Sequence, residues 1–223
     1  LLGALESLCA LHPDFISCTY GAGGSSRDKT FEIVEYIQSK YSVPSMAHLT
    51  CIAHTRSEMK RILEEFEKRN IRNILSLRGD PPVGTGAAFE VKKDFRYSSD
   101  LVAFIRSHFQ DRVSIGVAGF PEKHATAPDL DTDARYLKGK IIAGADFVIT
   151  QLFFDNNRYF EYVDRLKGIG VTVPVIPGIL PITNYHSLKR FCDQCKATIP
   201  KQVHDIFSPI ADDPAKTLEM GAD

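Results

Sequence analysis

No stretch of this 223-residue chain approaches the ~18 uninterrupted apolar residues of a membrane-spanning helix, so nothing in it reads as a transmembrane segment. An excess of charge is missing too: 27 Lys and Arg stand against 28 Asp and Glu, a net −1. That balance gives no reason to expect nucleic acid or an anionic membrane as a partner. No basic segment of the kind that opens a secretory signal stands near Leu1, and a start other than Met fits a removed leader or a longer parent chain. Cysteine is sparse: five residues, Cys9, Cys18, Cys51, Cys192 and Cys195, an odd and scattered set. That usage excludes a disulfide framework and fits reduced thiols in a cytoplasmic setting.

Several familiar catalytic and binding motifs are absent or incomplete. There is no G-x-S-x-G for a serine hydrolase and no H-E-x-x-H for a zinc protease. Gly21-Ala22-Gly23-Gly24-Ser25-Ser26 approaches G-x-G-x-x-G but ends in Ser26, and no Lys-Ser/Thr follows to make a P-loop. It reads first as a glycine-rich loop, whose amides could still touch a phosphate. Asp129, Asp131 and Asp133 imitate the start of a calcium loop, yet Ala134 replaces the required glycine and Lys140 stands where the bidentate Glu belongs. Cys192-x-x-Cys195 sits in a helical stretch without a second ligand pair, so no metal site is expected.

What is present is an alternation. Apolar, β-like runs at 15–20, 45–51, 73–77, 114–120, 147–154 and 173–179 take turns with amphipathic stretches at 29–40, 57–69, 98–109, 132–143, 159–167 and 185–195. The opening residues 1–11 also read as helix. In the 57–69 stretch Met59, Ile62, Leu63 and Phe66 follow the 3.6-residue period. Gly144 and Gly168 read as helix stops. Repeated strand–helix units with apolar strands imply parallel pairing and buried sheet faces. Hydrophobic content of 43% and a chain without composition breaks predict one domain over residues 1–223. The glycine-rich stretch 81–96 is long enough to cover a site as a lid.

Polar residues interrupt these strands at their carboxyl ends, where α/β folds bind ligands. The first run ends in Thr19-Tyr20-Gly21, the second holds His48 and Thr50, and the third ends in Arg78-Gly79-Asp80-Pro81-Pro82. The fourth runs Gly116-Val117-Ala118-Gly119-Phe120 into Pro121-Glu122-Lys123-His124, and the fifth carries Gln151. Each has a bland reading, Gly-Asp-Pro as a turn and His48 or Gln151 as satisfied core polar groups. Burying an unpaired amide costs roughly 1–3 kcal/mol, so several such residues at one end of a parallel sheet point to a ligand. Small residues at 116, 118 and 119 leave room for something flat and large.

These residues resemble one family, methylenetetrahydrofolate reductase. The resemblance is carried by His48-Leu49-Thr50-Cys51, 73–81 with Leu77-Arg78-Gly79-Asp80-Pro81, Ala118-Gly119-Phe120-Pro121, 143–154 with Thr150-Gln151-Leu152-Phe153-Phe154, and Pro177-Gly178-Ile179-Leu180-Pro181, in order along the chain. It implies a (β/α)8 TIM barrel whose first and last strands are missing from these residues. It implies FAD, reduced by NAD(P)H and reoxidised by methylenetetrahydrofolate in one slot, hence ping-pong kinetics in a cytoplasmic homo-oligomer. The implied FAD contacts are Thr19, Tyr20, Ala22, His48, Arg78, Gly79, Asp80, Ser98 (usually Ala in the family), Phe120, His124, Asp133 and Lys140. Asp80 and Gln151 are the implied catalytic pair, and both, with Phe191, the implied substrate contacts. A carboxylate at Asp80 would stabilise a cationic iminium form of the folate.

Tyr136 and Gly139 replace polar residues that some members direct at the cofactor. The family's general-acid Glu and its first-strand motif have no counterpart here, Glu6 being helical, and the final-strand motif is also absent. That absence leaves a rival, a non-catalytic flavin-binding module. A phosphate-binding aldolase is a weaker rival, since no Schiff-base lysine stands near a strand end.

Overall fold

Thr55 opens a helix through a complete capping box. Its hydroxyl accepts from the Glu58 N–H, and the Glu58 carboxylate accepts from the Thr55 N–H at 2.7 Å. From there Met59, Ile62, Leu63 and Phe66 line one buried face, and Phe66 meets Phe31 of the preceding helix edge-to-face at 5.4 Å. This local logic recurs along the computed structural model, which describes residues 2–19, 27–52, 54–80 and 94–221.

The elements alternate as the sequence predicts. They are α1 (Leu2–Cys9), β1 (Ile16–Cys18), α2 (Arg27–Tyr41), β2 (Ser45–Thr50), α3 (Arg56–Lys68), β3 (Asn73–Leu77), α4 (Ser98–Phe109), β4 (Ser114–Gly119), α5 (Leu130–Ile142), β5 (Phe147–Leu152), α6 (Asn156–Gly168), β6 (Val175–Gly178), α7 (Tyr185–Cys195), α8 (Lys201–Phe207) and α9 (Pro214–Met220). The chain forms two compact units, Leu1–Val117 with Lys140–Asp146, and Ala118–Gly139 with Phe147–Asp223.

In the first unit β1, β2, β3 and the start of β4 pair in parallel, in chain order. The register sets His48 opposite Leu75, and Leu75 opposite Gly116. Because side chains alternate along a strand, Met46, His48 and Thr50 share one face of β2, and Ala47 and Leu49 the other. Leu49, Ile74 and Ile115 are fully buried. Arg106 of α4 ties the segment after α5 to this sheet: it donates to the Gly144 carbonyl from Nε (3.1 Å) and Nη2 (2.6 Å) and pairs with Asp146 at 2.7 Å. The same Asp146 carboxylate accepts from the Ile115 N–H.

In the second unit β5 and β6 are parallel, with a register irregularity between Ile149 and Leu152. On β5 the face with Val148, Thr150 and Leu152 is buried and the face with Phe147, Ile149 and Gln151 half-buried. Helices α7 and α8 share a cluster of Leu152, Ile182, Tyr185, Leu188, Cys192 and Phe207.

The differences from the sequence expectation lie at element ends. β1 and β6 are shorter than their apolar runs, α3 is capped by Thr55 and not at Ser57, and α6 runs through Gly168. That helix ends where Gly170 takes φ +80°. Helices α8 and α9 have no counterpart in the sequence reading. All five cysteines are free thiols, as expected. No helix among the described residues is long and apolar enough to cross a membrane. Tyr20, Ala22 and the rest of the 21–26 loop lie outside the described residues, as does most of the expected lid, 81–93.

Candidate functional site

Of the expected site residues of the first unit, Thr19, Arg78, Gly79 and Asp80 follow strands, His48 lies within β2, Ser98 opens α4 and Lys140 is in α5. His48 lies on the half-buried face of β2, and its Nε2 is buried with no hydrogen-bond partner. Burial holds its pKa below the ordinary 6.5, so the ring stays neutral. At the end of β3 the Arg78 carbonyl accepts from the N–H groups of Cys51 (3.2 Å) and Ile52 (2.9 Å), which stitches the ends of β2 and β3 together. Gly79 follows at φ +83°, and a Cβ there would lie 2.8 Å from Thr50 Cβ. Only glycine satisfies both the backbone angle and the approach.

This stitched turn leaves the Arg78 and Asp80 side chains exposed, with Arg78 Nε donating to the Arg96 carbonyl at 3.4 Å. Ser98, the first residue of α4, is buried, and its carbonyl accepts from Ser76 Oγ. The exposed Thr19 follows β1, its carbonyl held by the Thr30 hydroxyl at 2.9 Å. Lys140 is half-buried in the last turn of α5. Burial pushes the Cys51 thiol up to about 11, so it is no nucleophile.

In the second unit Phe120 and His124 meet edge-to-face at 4.8 Å. The Thr126 N–H donates to His124 Nδ1 (3.2 Å), which puts the neutral ring's proton on Nε2. Tyr162, almost fully buried, accepts from the Phe120 N–H at 3.3 Å. Its hydroxyl would sit 2.4 Å from a Cβ on Gly119, which explains that glycine. Burial and the charge of Asp133, itself buried, push the Tyr162 phenol far above its usual range, so it remains a neutral hydroxyl.

At the carboxyl end of β5, Gln151 Oε1 accepts from the Leu152 N–H at 2.9 Å. That bond fixes the amide's orientation and leaves Nε2 as a donor for a ligand. A small recess of about 10 Å³ is lined by Gln151, Phe120, Glu122, Lys123 and the Cys195–Ala197 corner. It has room for about one water, far below the ~300 Å³ that takes a whole ligand, so it accepts a single polar group beside Gln151. Phe191, on α7, is 43% exposed and does not line it.

The structure therefore sets Phe120 against His124 and beside Gln151 at the recess, and packs the Arg78-Gly79 turn against the end of β2, the strand that carries His48. Sequence reasoning missed Tyr162, whose side chain looks like any helix-face aromatic, and the link from Glu122 to Thr198. No group of His, Cys, Asp and Glu among the described residues could hold a metal ion.

Comparison with known proteins places these residues in a family context. The family model described as methylenetetrahydrofolate reductase matches residues 1–223. The Zea mays protein named methylenetetrahydrofolate reductase (NADH) 1 is 37% identical over 230 residues, covering 99% of this chain and 39% of that protein. The Schizosaccharomyces pombe methylenetetrahydrofolate reductase 1 is 38% identical, covering 95% and 35%. The Escherichia coli 5,10-methylenetetrahydrofolate reductase is 36% identical over 222 residues, covering 100% and 72%. The chain thus spans less than two-fifths of the plant and fission-yeast relatives' length. Among solved structures, a putative phosphonomutase from Burkholderia cenocepacia J2315 superposes with a TM-score of 0.56 at 12% identity, covering 87% of this chain and 89% of that one, a likeness of fold alone.

Proposed function

The chain belongs to the methylenetetrahydrofolate reductase family, and from that premise we propose that it is the flavin-binding core of an enzyme that reduces methylenetetrahydrofolate to methyltetrahydrofolate with NAD(P)H. The observation that carries the reading is Gln151: a pinned amide whose donor nitrogen lines a small recess at a strand's carboxyl end. A donor so placed can meet a carbonyl oxygen on a pterin and, in turn, one on a nicotinamide carboxamide. One side chain serving two successive ligands is the basis for ping-pong kinetics.

The first unit's residues fit FAD. The orphaned Nε2 of His48 awaits a polar partner, and Gly79 lets the chain turn tightly against Thr50 just before Asp80. Arg78 and Lys140 supply positive charge for a pyrophosphate, and Thr19, Ser98 and Asp80 complete that set. Phe120, His124 and Asp133 of the second unit are assigned to the cofactor by the family resemblance alone. A flavin held there would supply the hydride chemistry between nicotinamide and folate. The chain positions and polarises: Asp80 places a carboxylate where positive charge develops on the folate, Gln151 orients each ligand, and Phe191 offers an aromatic face. The wider reading is one domain, six consecutive repeats of a (β/α)8 barrel, in a cytoplasmic homo-oligomer.

The test is optical. The purified full-length protein is expected to show flavin bands that bleach with NADH or NADPH and return on adding methylenetetrahydrofolate. A colourless protein, or one bleached by nicotinamide and indifferent to the folate, overturns the reading.

A further inference from the structure

Two loops of the second unit face the Gln151 recess, and one hydrogen bond joins them. Glu122, in the loop after β4, accepts from the Thr198 N–H at 2.6 Å through Oε2, across 76 residues of sequence. Both loops carry a non-glycine residue in the left-handed region next to that bond: Lys123 at φ +68° and Lys196 at φ +61°. Such outliers persist where surrounding structure over-determines them, and they gather at ligand sites. The first is held by its own loop, where the Lys123 N–H donates to the Phe120 carbonyl and Nζ to the Ala127 carbonyl, both at 3.0 Å. The second is the C-cap of α7, and what anchors the chain beyond it is the Glu122 carboxylate. Glu122, Lys123, Lys196 and Ala197 all line the recess with Gln151.

We propose that Glu122 is a positioning residue: its carboxylate clasps the Thr198 amide and so holds the 196–198 corner as the wall that shapes the Gln151 recess for the folate and nicotinamide ligands. Glu122 touches no reacting atom in this account; it acts through the backbone it holds. The inference rests on the function proposed above. A single acceptor oxygen suffices for the clasp, so Gln can replace Glu where Ala cannot.

The experiment uses the intact flavoprotein and two variants, Glu122→Ala and Glu122→Gln. Hydrogen exchange reports the clasp: Glu122→Ala is expected to speed exchange at the Thr198 amide about tenfold, with Glu122→Gln within about twofold of the parent. Calorimetric titration with 5-methyltetrahydrofolate reports the recess: Kd is expected to rise five- to tenfold in Glu122→Ala and less than about twofold in Glu122→Gln, with the flavin spectrum and Tm unchanged. Unchanged exchange in Glu122→Ala, unchanged Kd despite faster exchange, or a Glu122→Gln variant as impaired as Glu122→Ala each overturns the proposal. If the parent protein binds no folate at all, the functional reading fails with it, and the exchange data still decide whether the clasp exists.

Discussion

Asp80 and His48 illustrate what single residues contribute. Asp80 is exposed at the end of a turn that only glycine can make. If its charge supports positive charge on the folate, Asp80→Asn lowers the folate half-reaction at least tenfold, about 1.4 kcal/mol of barrier. Reduction by NAD(P)H should stay within about twofold. Stopped-flow absorbance of the two half-reactions measures this, and equal losses would remove the assigned role. His48 predicts a pH effect on the apoprotein. Its pKa is depressed by burial from 6.5, so the unfolded chain takes up a proton that the folded chain refuses. Stability from this residue is complete above that value and is lost as pH falls through it toward the lower folded pKa. Urea midpoints at pH 8 and pH 5.5 should differ less in His48→Gln than in the parent. Both positions were visible in the sequence, as polar interruptions of apolar runs. The Tyr162 and Glu122 contacts were not, because they join residues 42 and 76 apart.

At the scale of elements, periodicity located the long helices and most strands. What it missed has local causes. The sequence pattern predicts an α3 start at Ser57, yet the capping box belongs to Thr55 and Glu58. Helices α8 and α9 have seven residues each, too short to show an amphipathic period. The junction after α5 depends on one side chain. Arg106 donates to the Gly144, Gln110 and Val113 carbonyls and pairs with Asp146, while its own side chain is only 20% exposed. Removing it orphans several acceptors at once, so Arg106→Ala should destabilise the fold by about 3 kcal/mol. Chemical denaturation checks this, with Arg106→Lys recovering less than half because a single ammonium cannot reproduce the fork.

For the whole molecule, strand–helix alternation made the parallel α/β architecture legible before any coordinates, because parallel strands require crossover helices. The two compact units were not legible: the division runs through β4 and α5, where composition does not change. It has a practical corollary in the thiols. Cys9, Cys18 and Cys51 are buried in the first unit and Cys192 in the second, with Cys195 half-buried. Burial raises Cys18, and it pushes Cys51 and Cys192 up to about 11. In native protein at neutral pH, then, an alkylating reagent should modify Cys195 first. In increasing denaturant the order in which Cys51 and Cys192 label, read by peptide mass spectrometry, times the opening of each unit. The molecule thus carries two internal stopwatches, one per half, needing no dye and no engineered probe.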